Sequence, residues 1–193
     1  MRQYSLGVEI NRDLGQGSSF IMNGGSISDN GYNEGSGTSG VTIRQGNFTM
    51  NDGVISGNMA GGVSVDDNGT FTMKKGRIIN NQIENGYGIG GGGVEVLWGG
   101  TFIMDGGEIS GNKATDGGGV SVVESTFIMN GGIIANNEAE EIGGGVFLYH
   151  ESTFTMNGGI IAGNTSERIG GGGVGLYTSA TFTKTGKSII YGD

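Results

Sequence analysis

The chain has no cysteine and no proline in 193 residues, one histidine, one tryptophan, and only 10 Lys and Arg against 19 Asp and Glu. Each shortage closes off a class of protein. Without cysteine there are no disulfides and no thiolate metal sites. A formal charge of −9 and a pI near 4.5 leave no basic stripe to neutralise phosphates, so a nucleic-acid partner is not expected and anionic membrane surfaces are disfavoured. No apolar run approaches the ~20 residues of a membrane-spanning helix, so membrane insertion is not expected. The opening "MRQYSLGVEINRDLG" lacks the apolar core and small-residue cleavage site of a secretory leader; the expectation is that a leader has been removed or that the chain is a segment of something longer. The lone His150, in "YHEST", has no second histidine at zinc-protease spacing and reads as a solvated corner residue.

What is abundant is glycine, 45 of 193 residues. Collagen would need a strict Gly-X-Y period with proline, and a flexible linker would lack regularly placed Phe, Ile and Val. A folded glycine-rich repeat remains. Taking the Phe of F-x-M as origin, copies begin at Phe20, Phe48, Phe71, Phe102, Phe127, Phe154 and Phe182, at spacings of 28, 23, 31, 25, 27 and 28 residues. Such a period means one supersecondary unit per copy, stacked on its neighbours.

Two residues after each Phe stands Met22, Met50, Met73, Met104, Met129 or Met156, with Lys184 replacing it in the last copy. Seven residues after each Phe the reading places an inward isoleucine: Ile27, Ile55, Ile78, Ile109, Ile134, Ile161 and Ile189. Ten residues after the Phe comes Asn30, Asn58, Asn81, Asn112, Asn137 or Asn164, and Gly192 in the last copy. A third segment reads G-V-x-[VIL], as in Val63 with Val65 and Val120 with Val122.

Period-two alternation in F-x-M and V-x-V predicts short strands with one face inward, and nothing carries the 3.6-residue period of an amphipathic helix. Each copy is expected to hold about three short strands. The offset from the Asn to the following Val varies from 5 to 13 residues, which marks one loop corner outside the stack. The predicted fold is all-β: a right-handed parallel β-helix of about seven coils spanning residues 1–193 as one domain, with a partial coil over residues 1–19. At about 4.8 Å per coil the rod is on the order of 30 Å long. The right-handed form is favoured because parallel crossovers prefer that hand and the six-residue rhythm of left-handed solenoids is missing. Proline is excluded because each strand N–H donates to the next coil.

With the repeat laid out, the chain resembles the pectate-lyase-like right-handed β-helices, and within them the glycine-rich repeats of bacterial adhesin-like and polymorphic outer-membrane surface proteins. The motifs that carry the resemblance are F-x-x-N, present as "FIMN" at Phe20 and Phe127 and "FTMN" at Phe48 and Phe154, and a G-G-A-[ILV] counterpart, present as "GGGV" ending at Val94, Val120, Val146 and Val174. The likeness runs from Val8 to Ile190, with Gly in place of the usual Ala. It implies an extracellular or cell-surface location and an adhesive or structural role.

Candidate chemistry is sparse. The asparagine column reads as an internal ladder of amides. The G-x-G-x-x-G in "GYGIGGGG" (residues 86–93) is followed by the strand "VEV" and not by a helix, so no phosphate cradle is read there. No aspartate occupies the ligand position of a calcium-binding nonapeptide. The acids gather in turns and at the variable corner, as in "EAEE" (residues 138–141) and Asp66 with Asp67, while Asp52 and Asp105 fall in turns of non-adjacent coils. No catalytic residue, metal ligand or cofactor site is assigned. Two outward features suggest partners. Ranks of T-x-T beside each Phe resemble the hydroxyl and methyl arrays of ice-binding solenoids. Four aromatics, Trp98, Phe147, Tyr149 and Tyr177, are expected to project from the third strand or its corner, where they would stack on sugar rings or anchor a host or cell-surface protein.

The ends suggest a further partner. A solenoid must hide its terminal coils, "GVEI" at Gly7–Ile10 begins mid-coil, and Lys184 is expected to blunt the far edge. End-to-end stacking of copies into a fibre is the corresponding expectation. The sequence thus points to a non-enzymatic structural or adhesive rod, with a carbohydrate-binding or polysaccharide-degrading protein as the alternative and ice binding as a third reading.

Overall fold

The computed structural model describes residues 7–11, 17–31, 39–83, 90–168 and 171–191, and its regular elements are all strands. They form a parallel β-helix. Seven strands, Val8–Asn11, Val41–Arg44, Val63–Asp66, Val94–Leu97, Val120–Val123, Val146–Tyr149 and Val174–Tyr177, pair in parallel in that order and form a valine ladder. Their register is in phase: Val63, Val94, Val120, Val146 and Val174 lie directly over one another.

A second sheet of twelve strands carries both the phenylalanine and the isoleucine rungs. In the first two copies these rungs are continuous ten-residue strands, Ser19–Ser28 and Asn47–Ser56. From Thr70–Met73 with Arg77–Ile79 onward they separate at a glycine corner. Seven phenylalanine rungs enclose six full turns. The three-strand pattern read from the sequence is therefore present, but its first two segments share one bent sheet.

The period-two pattern decides what lies inside. Phe48, Phe71, Phe102, Phe127 and Phe154, together with Met50, Met73, Met104, Met129 and Met156, are all at most 1% exposed. Successive Phe rings from Phe20 to Phe182 stack with centroids 4.5–5.1 Å apart. In the four central pairs the planes differ by only 4–7°, so these rungs scarcely twist. Untwisted sheets need side-chain ladders to hold them flat, and this core supplies one. Each ring adds about 0.5–1.5 kcal/mol of stacking to the ~2–3 kcal/mol of its burial.

The asparagine ladder turns the next corner. Asn112 Oδ1 accepts from the backbone N–H (2.9 Å) and the Nδ2 (3.0 Å) of Asn81, while its own Nδ2 donates to Ile78 O (3.0 Å) and Asn137 Oδ1 (2.9 Å). The side chain's two donor hydrogens and its acceptor oxygen are all used. The same arrangement recurs at Asn81 and Asn137, which resolves the conserved-looking polar column as structure.

Glycine fixes the corner after each Met. Gly107 has φ +91°, and a Cβ there would lie 2.6 Å from Met73 Cε and 2.8 Å from Gly76 O. The missing proline is equally intelligible: Val63, Val94, Val120 and Val146 each donate their N–H to the next coil, at Gly93 O, Gly119 O, Gly145 O and Gly173 O.

Two expectations need correction. The variable corner is not simply a loop: Lys113–Asp116, Glu138–Ile142 and Thr165–Ser166 form a third, three-stranded parallel sheet. In those coils the corner segments are long enough to pair with one another outside the core. The isoleucine column also shifts in the last copy. Ile190, and not Ile189, lies opposite Ile161 and packs on the core, leaving Ile189 39% exposed. "TKTGKSII" carries one residue more than "TMNGGII" between the rungs, so the inward position falls one residue later. Lys184 stands opposite Met156 and is exposed, as expected for that edge. Gly192, most of the residues 1–19 partial coil's flanks (1–6 and 12–16), and Gly86–Ile89 of "GYGIGGGG" lie outside the described residues; Gly90–Gly93 do lead into the strand Val94–Leu97.

Candidate functional site

A parallel strand alternates its side chains, so each residue that faces out of the valine ladder stacks on its equivalents into a column. One outward column runs Glu9, Thr42, Ser64, Glu95, Ser121, Phe147 and Gly175. A second holds Asn11, Arg44 and Asp66 in the first three rungs and Leu97, Val123, Tyr149 and Tyr177 in the last four. This face is charged at one end and aromatic at the other.

At the charged end Arg44 lies between Glu9 (3.2 Å) and Asp66 (3.8 Å). Burial pushes the Glu95 carboxyl up to about 7; Asp66's charge adds to the rise, and a hydrogen bond from Ser64 Oγ (3.3 Å) opposes it. Burial also raises Asp66, with the neighbouring Asp67 charge contributing, against a backbone hydrogen bond from Asp67 and the Arg44 charge. Beyond Glu95 the Ser121 hydroxyl is fully buried.

At the aromatic end Phe147 and Tyr149 share one rung and Tyr177 lies over Tyr149 on the next, but Phe147 does not project to solvent as expected. Phe147 and Tyr149 stack at 6.1 Å and 23°, and Tyr149 and Tyr177 at 5.8 Å and 14°. His150 meets the edge of Tyr149 at 4.1 Å. The three rings differ in exposure: Tyr177 is 55% exposed, while Phe147 is buried at 3%. The cause is the corner sheet, whose end folds over this column. A Cβ on Gly175 would run into Ile142 Cγ2, and one on Gly143 would lie 3.0 Å from Phe147 Cα. Glycine at both positions lets the corner close on the sheet.

The result is an open groove of about 280 Å³ lined by Asp116, Glu141, Ile142, Phe147, Tyr149 and Tyr177. Its lining combines three aromatic rings, Phe147, Tyr149 and Tyr177, with two acids, Asp116 and Glu141. Burial raises the Asp116 pKa; a backbone hydrogen bond from Ile142 opposes this and the Glu141 charge adds to it. Glu141 is paired with Arg168 Nη1 at 2.7 Å. Aromatic rings and hydrogen-bond acceptors in one groove suit a hydroxyl-bearing ligand with an apolar face.

Trp98 stands apart from this groove. It is 58% exposed at a positive-φ corner (φ 40°), one residue beyond the column that contains Tyr149. Its neighbours along the stack are Asn68 and Val123, through backbone hydrogen bonds. Asp116 and Glu141 were not singled out by sequence reasoning. "EAEE" marked the corner as acidic, but no pattern in a loop of varying length indicates that it folds back on a particular sheet face.

The remaining candidates resolve as surface structure. Asp52 Oδ1 accepts from Gly53 N (2.7 Å), and Asp105 Oδ1 from Asn130 Nδ2 (2.8 Å). Threonines 70, 101, 126, 153 and 181 do form a straight outward rank. The companion rank alternates blocks, Thr49 and Thr72, then Ile103 and Ile128, then Thr155 and Thr183. Among the described residues no group of three His, Asp or Glu is placed to hold a metal ion, and no helix is long and apolar enough to cross a membrane.

A solenoid of parallel rungs is the architecture of the right-handed β-helix proteins. The family model for the right handed beta helix region matches residues 36–189, and the chain belongs to that family. No curated protein and no solved structure matches it significantly.

Proposed function

We propose that this chain is an extracellular or cell-surface rod with a non-enzymatic adhesive role, and that it binds glycan in the groove between the valine ladder and the corner sheet. The observation that carries this reading is the stacked pair Tyr149 and Tyr177 lining one open groove together with Asp116 and Glu141. A rigid scaffold suits such a role, because side chains fixed by a ladder lose little conformational freedom on binding. The test is a glycan array probed with the full chain. A signal that falls at least about tenfold in the Tyr149→Ala, Tyr177→Ala double variant supports the reading, since each lost stacking contact is worth on the order of 1 kcal/mol. A signal unchanged in that variant defeats it.

A second reading, polysaccharide cleavage, is favoured by one observation: Glu95 holds a proton to about pH 7 beside Ser64 and near the negatively charged Asp66. An acid titrating there is suited to general acid or base chemistry. Release of reducing or unsaturated ends in a broad polysaccharide screen, abolished by Glu95→Gln, would replace the adhesive reading with this one.

A further inference from the structure

The groove's chemistry is one-sided. It is lined by two acids, Asp116 and Glu141, by the aromatics Phe147, Tyr149 and Tyr177, and by Ile142, with no basic residue among them. Glu141 has one cation, Arg168, whose side chain is 70% exposed. Asp116 has no cation partner among the described residues, and what its carboxylate accepts is a backbone hydrogen bond from Ile142. The chain as a whole carries −9.

A ligand seated here must therefore bring hydrogen-bond donors to the carboxylates and is favoured if it brings positive charge. An ammonium group suits both kinds of lining residue. It donates up to three hydrogen bonds, which are strengthened when the acceptor is ionised, and it is attracted to the faces of aromatic rings. A uronate or sulfated sugar would set its own anion against two carboxylates in a partly desolvated groove, where like charges repel far more than in bulk water. A neutral sugar gains stacking and ordinary hydrogen bonds only.

Resting on the glycan-binding reading of this same groove, we propose that it selects hexosamine chains with free ammonium groups, partly or fully de-N-acetylated, and rejects uronate and sulfated polymers. Asp116 is the specificity-determining residue; the tyrosines supply affinity common to all sugars.

The experiment is calorimetric titration of the full chain, at mildly acidic pH where the sugar amine is protonated, with four hexamers: β-linked glucosamine, its N-acetylated form, a β-linked glucose chain and oligogalacturonate. The glucosamine hexamer is expected to bind at least about tenfold tighter than the N-acetylated one, the gain of one charge-assisted contact. Raising the salt should narrow that gap. Oligogalacturonate should not bind.

Asp116→Asn should bring the glucosamine and N-acetylglucosamine affinities together, with Glu141→Gln as a second variant should Asp116→Asn melt early. Tyr177→Ala should weaken both sugars alike. Equal affinity for the charged and acetylated hexamers, unaffected by Asp116→Asn and Glu141→Gln, overturns the ammonium selection and leaves glycan binding standing. Tighter binding of oligogalacturonate overturns it too. Binding of none of the four removes both this proposal and the glycan reading beneath it.

Discussion

A single asparagine illustrates how much each rung contributes. Asn112 satisfies four groups on other residues: Asn81 N–H, Asn81 Nδ2, Ile78 O and Asn137 Oδ1. Asn112→Ala removes all four bonds in a site of 0% exposure; Asn137 Oδ1 keeps the Asn112 N–H and Asn81 Nδ2 keeps Ile55 O, so at ~1–3 kcal/mol per group left short of a partner we predict a loss of roughly 2–4 kcal/mol in urea unfolding. Asn112→Asp should be nearly as damaging at neutral pH, because a carboxylate still accepts from Asn81 but faces the oxygens of Ile78 and Asn137 with no donor. Full stability in either variant would show that the ladder is ornamental.

Glu95 makes a second residue-scale prediction. Native Glu95 keeps its proton to about pH 7, whereas its reference value is 4.5. Between those values the folded state binds more protons than the unfolded state, so stability falls as pH rises through that window, by up to roughly 3 kcal/mol for this group. Asp66 and Asp116, also raised, act with the same sign. Glu95→Gln should be more stable than the parent near pH 8, about equal to it near pH 4, and show a shallower decline between. A parent whose melting temperature rises from about pH 5 to 7 in step with Glu95 deprotonation would contradict the assignment.

At the scale of the element, the rungs depend on close backbone approach as well as on side chains. A Cβ on Gly119 would lie 2.5 Å from Gly145 O and 2.9 Å from Ile134 Cγ2, against both the backbone and the core side chain of the next coil. Gly119→Ala must push the coils apart and should cost more than Phe182→Ala at the edge, even though it removes no atom. Phe102→Ala, in the middle of the ring stack, should cost about 3–5 kcal/mol. Phe182 stacks on one side only, on Phe154, and is partly buried, so its loss should be smaller. Urea midpoints for the three variants give the order directly.

The elements were legible in the sequence wherever spacing was constant. Phe-to-Met and Val-to-Val offsets report strand alternation, and the asparagine column reports its own ladder, because stacked copies force equal positions into equal environments. Ile189 was misplaced because a one-residue insertion in a glycine-rich turn leaves two adjacent isoleucines to choose from. The corner sheet escaped because Lys113–Asp116 pairs with Glu138–Ile142 through a register shift, and a pattern that slips between copies leaves no column to read.

At the scale of the whole molecule, the outermost described rungs differ from the central ones in exposure. The last described rungs leave Leu176 46% exposed and Phe182 and Ile190 partly buried, and exposed strand edges recruit further strands. The end-to-end stacking expected from the sequence predicts a light-scattering mass that grows with concentration and a Leu176→Lys variant in which that growth is suppressed. A strict monomer throughout the concentration series sinks the fibre.

The sequence by itself determined the solenoid, its inward columns, the flat aromatic core and the absence of proline, since each follows from one rule: identical residues stacked on parallel rungs about 4.8 Å apart. It also placed Phe147, Tyr149 and Tyr177 on one outward face. Only the tertiary structure decided that the corner sheet closes on this face, that Phe147 is buried and Trp98 an outlier, and that Asp116 and Glu141 line one groove with the tyrosines. Those relations depend on where a corner of variable length comes to rest against the sheet, and packing between segments without a shared period sets that position.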